Sequence, residues 1–317
     1  MSKSNRFAAL LLFVAGCATV VSNEPLKLTL GTATPGGGFQ VYGAALAQSI
    51  QEADPSITIE QVPTKGSGEN ILLVESGKVD LGLIAGEPAH EALTGIGRPR
   101  ANLKVIAAMY PTAGMFVVRS NSPYRTIQDL KGKPVAFGAR ASGFVVQAGY
   151  VLDALGLDRD RDFQAVYLER AGDGVTMLKD GKVAAVWGGG VGYPVFMEAA
   201  KLEGGVRFLA PTGAEAQVIV AKHPLMKAVT LPAGTYPGQA QPIATVGAWS
   251  FVFARPDLPE DAAYRVARAI HRAEPRFPAK LAQAKDSTAA NTYAAVASHS
   301  LIHPGAMRYL RDAGIAR

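Results

Sequence analysis

Apolar and polar positions alternate through LKLTLGT at 26–32, the mark of a half-buried strand. The period then changes: Phe39, Tyr42, Leu46 and Ile50 recur at helical spacing, predicting a helix over 39–53. Strand patterns follow at 56–62 and 79–84, separated by a helical segment, 69–77, that stops at Gly77. A short helix is predicted at 88–93 and two more strands at 104–110 and 115–119. The alternation then restarts with TIQDLKG as a short helix, PVAFG as a strand and 142–156 as a helix closed by Gly156. FQAVYL, GDGVTMLKDG and VAAVW repeat strand, helix, strand; GYPVFMEAAKL reads as helix and VRFLA as extended chain. From Val246 the pattern gives a strand, VGAWSFVFA, and then helices in DAAYRVARAIHRAEPRF and GAMRYLRDAG, while 231–242 reads as a loop.

Repeated β-α-β units imply parallel sheets covered by helices. Two such blocks and a returning third segment predict an α/β protein of two lobes. The first comprises 26–117 plus 253–317 and the second 118–252, with crossings near 117–120 and 246–253. Ligands of open parallel sheets sit beyond the carboxyl ends of the strands, where loops turn into helices.

Composition narrows the class. Of the 317 residues 48% are apolar and 18% charged, as in a compact protein and not a disordered one. The start MSKSNR, the short apolar run FAALLLFVAG and the small residues after it read as a secretory signal over residues 1–17, too short to span a bilayer. A periplasmic location is therefore expected. The formal charge of +6 includes Lys3 and Arg6 of this leader, leaving about +4. No basic run interleaves with aromatics, so no nucleic-acid partner is expected, whereas a mild positive field suits an anionic ligand. The only cysteine, Cys17, follows Val14-Ala15-Gly16 and resembles a lipobox, which would make it a lipidated membrane anchor. Ordinary cleavage after Ala18 is the alternative.

The stretch LGTATPGGGFQVYG places Pro35, Gly36, Gly37 and Gly38 between a strand and a helix start. Gly31 to Gly36 copies the opening of a phosphate-binding loop, but the Lys and Ser/Thr that should follow are absent. A bare backbone at a helix mouth offers N–H groups and a positive dipole end to an anion; the alternative is a tight turn.

Several dispersed motifs share a resemblance. GTATPGGGFQVYGAALA, TKGSGENILLVESGKVDLGLI, SPYRTIQDLKGKPVAFGARASG and HPGAMRYLRDAG together resemble the TAXI solute receptors of TRAP transporters over 26–317. This resemblance implies a type II periplasmic-binding-protein fold, closing over a small carboxylate and delivering it to a TRAP-type permease, without catalysis or cofactor. It also supplies substrate-binding candidates. Gly37, Gly38, Phe39 and Tyr42 belong to the first motif, Phe39 standing where the family usually has Tyr. Ser67 and Asn70 fit S-x-x-N, Ser67 being alternatively a helix cap. Glu87 in IAGEP is either a partner for a ligand amine or hydroxyl, or an exposed helix-start carboxylate. In FGARASG, Ser142 and Gly143 match the family pattern, while Arg140 departs from it. A guanidinium there would bind a carboxylate through two parallel hydrogen bonds, the alternative being a solvated arginine. Trp187, Gly189 and Gly190 repeat the bare-backbone logic, and Tyr193 and Trp249 are candidate cavity walls, the alternative being core aromatics.

Other chemistries lack their residues. His299 and His303 have a zinc spacing, but HSLIHP lacks the glutamate of H-E-x-x-H, so no metal is expected. No serine sits in a G-x-S-x-G elbow. The expectation is thus a monomeric receptor for a small organic anion. The alternatives are an ABC-importer binding protein for a sulfonate or thiamine-precursor-like ligand, a surface lipoprotein or sensor without transport, and, further off, an exported hydrolase.

Overall fold

The computed structural model describes residues 24–317, so the expected signal segment and Cys17 lie outside the described residues. The first block opens with β1 (Leu26–Gly31), α1 (Gly38–Ala53), β2 (Ile57–Val62), α2 (Ser67–Glu75), β3 (Leu81–Ile84) and α3 (Gly86–Thr94). β1 lies parallel to β2 from Leu26↔Ile57 to Gly31↔Val62, and parallel to β3 on its other side. β4 (Lys104–Arg119) leads out of this block. The second comprises β5 (Pro134–Ala139), α4 (Gly143–Ala154), β6 (Gln164–Leu168), α5 (Asp173–Lys179), β7 (Ala185–Gly188), α6 (Pro194–Ala199), β8 (Val206–Leu209), α7 (Gly213–Lys222) and β9 (Lys227–Leu231). β10 (Ile243–Ala254) returns to the first block, which α8 (Glu260–Arg272), α9 (Phe277–Lys280), α10 (Ala289–Ala295) and α11 (Pro304–Asp312) complete.

The strands run in the order β2-β1-β3-β10-β4-β7-β5-β6, with β8 paired to β4 and β9 to β10. Each block is parallel where its β-α-β units lie, and the long antiparallel pair β4–β10 joins the two. β4 corrects the expectation of two strands at 104–110 and 115–119. Pro-Thr-Ala-Gly at 111–114 has a turn composition, yet the strand continues through it. Proline removes a ladder donor and survives in strands at edges or bulges. Here Pro111 faces Trp249 beside a register shift between Trp249 and Phe251. α7 and β9 also lie where the pattern predicts no element.

Four apolar clusters fill the layers. In one, Tyr42, Leu46 and Ile50 of α1 pack with Val266 and Ile270 of α8; the other first-block cluster gathers Ile71, Val74 and Phe253. The remaining two take residues from Ala113 to Val246, including Phe116, Phe137 and Trp187, and Val186 with Phe196. Ala113–Val117 therefore pack with the second block although they continue a strand of the first.

Candidate functional site

The carboxyl ends of β1, β3, β5 and β7 face one cavity of about 70 Å³, room for about five water-sized positions. Four helices begin on its wall: α1 at Gly37–Phe39, α2 at Gly66 and Ser67, α3 at Ala85 and Glu87, and α4 at Ser142 and Gly143. None of their N-terminal residues, Gly37, Gly66, Ala85 and Ser142, accepts a capping hydrogen bond through a side chain. Each helix start leaves amide donors without an intrahelical partner and carries about half a positive charge. Four such ends converge on one small space, which favours negative charge inside it.

The two blocks meet over this cavity. The Gly68 amide donates to the Ala141 carbonyl at 2.9 Å, tying the start of α2 to the loop before α4. Gly66 adopts φ +109, and a Cβ there would lie 3.1 Å from the Ser142 Cα. A Cβ on Gly143 would lie 2.7 Å from the Ala85 Cβ and 2.8 Å from the Ser67 Oγ. These glycines let two backbones touch across the cleft, so the arrangement is a closed one.

At the cavity floor stands Glu87, fully buried, accepting from the Gln147 side-chain amide at 3.0 Å. Gln147 Nε2 also donates to the Thr112 carbonyl at 2.7 Å, which fixes the orientation of its amide. Glu87 Oε2 has no partner, and neither has the buried Ser142 Oγ. Burial raises the Glu87 carboxyl from 4.5 to about 7, against hydrogen bonds that lower it. Phe144 and Tyr193 form an aromatic wall with ring centroids 5.1 Å apart, and exposed Lys65 contributes to the lining. Burial pushes the Tyr193 and Tyr110 hydroxyls well above their ordinary range, so both stay neutral donors.

Of the residues singled out in the sequence, Gly37, Gly38, Phe39, Ser67, Glu87, Ser142, Gly143 and Gly189 line the cavity, as does Tyr193. Six others lie elsewhere. Arg140 is exposed, its guanidinium stacked 4.0 Å over the Tyr167 ring. Tyr42 is buried in the core and hydrogen-bonded to Ser287 at 2.8 Å. Asn70 spends its side chain on backbone: Nδ2 donates to Thr32 and Leu83 carbonyls, while Oδ1 accepts from Thr64. Trp187 packs on Phe116 with centroids 4.6 Å apart, Trp249 leans on the cluster around Phe253, and the Gly190 carbonyl accepts from Tyr236. Sequence reasoning missed Gln147 and Thr112. A polar residue inside the apolar run FVVQAGYVL of α4 was the available signal for the first; Thr112 lay hidden in a segment with the composition of a turn.

The model of the NMT1-like family matches residues 30–314. The chain belongs to the NMT1-like family. A protein of Escherichia coli (strain K12) named for binding aliphatic sulfonates is 28% identical over 211 residues, which is 63% of this chain and 59% of that relative. The chain thus spans less than two thirds of the length of this curated relative. Among solved structures, the periplasmic aliphatic sulphonate binding protein of Escherichia coli superposes with a TM-score of 0.51 at 21% identity, covering 91% of this chain and 84% of that one. The alkanesulfonate-binding protein of Xanthomonas axonopodis pv. citri, bound to MOPS, gives 0.53 at 18% identity over the same shares. These likenesses show the expected fold, the two-lobed α/β architecture of periplasmic binding proteins. They overturn the TAXI assignment, and with it the TRAP-type permease and the carboxylate ligand. The glycine motifs answer a packing demand of two blocks closing on each other, so they carry the fold and not the transport partner.

Proposed function

We propose that the NMT1-like chain is a periplasmic solute-binding protein that delivers a small organosulfonate to an ABC-type permease. The observation that carries this reading is the convergence of four uncapped helix starts on one enclosed cavity. A sulfonate presents three acceptor oxygens and a permanent negative charge, and the positive dipole ends of helices complement both. The sulfonate-binding names of the relatives support the ligand class. Lys65 adds a positive charge at the same lining.

Binding works by closure. A ligand that touches α1–α3 on one side and α4 on the other stabilises the closed state over the open one, and only such differential contact shifts the population. In this reading the lobes divide at Thr112–Gly114 and Val246–Ala248, where the two sets of clusters meet, and not at the expected boundaries of 117 and 253; the β4–β10 pairing there is the flexing segment.

Thermal unfolding against a panel of short sulfonates, phosphonates and carboxylates tests the proposal. A ligand at a hundred times its Kd stabilises the folded state by about 2.7 kcal/mol. A raised midpoint with at least one sulfonate is expected. Shifts confined to carboxylates or phosphonates would refute the sulfonate reading.

A further inference from the structure

The convergent amides account for an acidic group in the ligand, but they leave the cavity floor unexplained. Glu87 is fully buried, lines the cavity and has one oxygen with no partner. A buried acceptor without a donor destabilises the fold, and more so when it is charged. Its other oxygen is held by Gln147, whose two N–H groups are both committed, to Glu87 and to the Thr112 carbonyl. Gln147 therefore cannot turn to serve Oε2 without leaving Thr112. Nor can a sulfonate, which has acceptor oxygens and no donor, serve it once Glu87 is ionised.

We propose that Glu87 recognises an N–H donor on the ligand, so that the cavity selects amino-substituted organic acids over their plain alkyl counterparts. The claim rests on the reading of this cavity as the site for a small organic acid. An ammonium placed against Oε2 supplies the missing donor and a compensating charge. The acidic end of the same molecule then turns to the helix starts. A small cavity forces both ends to be met at once, so the ligand is short. Glu87 belongs to α3 and Gln147 to α4, so the bond between them also joins the two blocks. An ammonium that holds Glu87 ionised strengthens the acceptor facing Gln147, since charged acceptors make shorter and stronger hydrogen bonds. Recognition of the donor and closure of the cleft thereby act on one carboxylate.

Charges around Glu87 fit this division. Glu91 lies one turn on in α3 and raises the Glu87 carboxyl, while Tyr150 of α4 stands beside Glu91. Lys65 lines the cavity from the loop before α2, and Tyr110 and Tyr193 contribute neutral hydroxyls. No arginine or lysine pairs with Glu87 among the described residues.

The test is calorimetric titration of the full chain with three matched pairs: 2-aminoethanesulfonate and ethanesulfonate, 2-aminoethylphosphonate and ethylphosphonate, 3-aminopropanoate and propanoate. In whichever pair binds, the amino compound is expected to bind about 10- to 100-fold more tightly, the worth of a hydrogen bond to a charged group. Glu87→Gln should bring the two members of that pair together. A wild-type readout stands beside the variant: at pH 6, titrations in buffers of different ionisation enthalpy should show a proton released with the amino compound and none with the plain one. Equal affinities within the binding pair, or no proton release, overturn the donor subsite. Binding confined to phosphonates or carboxylates overturns the sulfonate reading and leaves the donor comparison intact. No binding by any of the six overturns both.

Discussion

Gly143→Ala isolates the cross-cleft contact that closes the cavity. The added methyl would stand 2.7 Å from the Ala85 Cβ and 2.8 Å from the Ser67 Oγ, both on the opposite block. Carbon atoms in ordinary contact are about 3.5–4.0 Å apart, so the two faces must separate by about 1 Å. Forcing one methyl into a packed contact costs about 1–3 kcal/mol. Only the closed state bears that cost, because an open cleft removes Ala85 and Ser67 from reach. Ligand affinity should therefore fall by about 5- to 150-fold in a calorimetric titration with the tightest-binding compound of the panel. Stability without ligand should hold or rise slightly, since alanine at a compatible position narrows the unfolded ensemble by about 0.4–1 kcal/mol. Gly213→Ala, which would place its methyl with nothing within 4 Å, serves as the control with unchanged affinity. An unchanged affinity in Gly143→Ala would refute the reasoning. So would a loss of affinity matched by an equal loss of ligand-free stability, which would make the contact ordinary core packing.

Three further outcomes follow from the same geometry. Asn70→Ala takes a side-chain donor from the Leu83 carbonyl and leaves the Thr32 carbonyl only the Thr64 hydroxyl, and it should destabilise the fold by about 1–3 kcal/mol in urea unfolding; a change under about 0.5 kcal/mol would deny it the role of a brace between strand ends. Tyr42→Phe loses the hydroxyl bond to Ser287 and should cost about 0.5–1.5 kcal/mol while leaving ligand affinity intact, because Tyr42 stands off the cavity wall; a loss of affinity in titration would contradict that placement. His271 is buried between Thr292 and the Tyr309 ring, and burial lowers it from 6.5 to about 4. The folded state binds the proton less readily than the unfolded one, so its contribution is present above pH 6.5 and lost as pH falls through about 4. The loss amounts to about 3 kcal/mol, and His271→Gln should flatten that limb of the stability profile measured by urea unfolding. An unaltered limb would show that another group governs it.

Local pattern alone determined most of the alternation of strands and helices, since periods of 2 and 3.6 are written in which residues are apolar; α7 and β9 escaped it. It also marked the helix starts at Gly37–Phe39, Ser67, Glu87 and Ser142, because glycine and small polar residues after an apolar strand are local signals. The continuity of β4 was hidden, since a strand buried on both faces shows no alternation and Pro111 sits in it beside a register shift in the pairing with β10. Tertiary structure decided which candidates share a space. Arg140 and Ser142 are two residues apart, yet one stacks on Tyr167 outside and the other lines the cavity. Glu87 and Gln147, sixty positions apart, meet there. The physical reason is range: periodicity and turn chemistry act between neighbours, whereas a ligand site is made by loops that only the closure of two blocks brings within hydrogen-bonding distance.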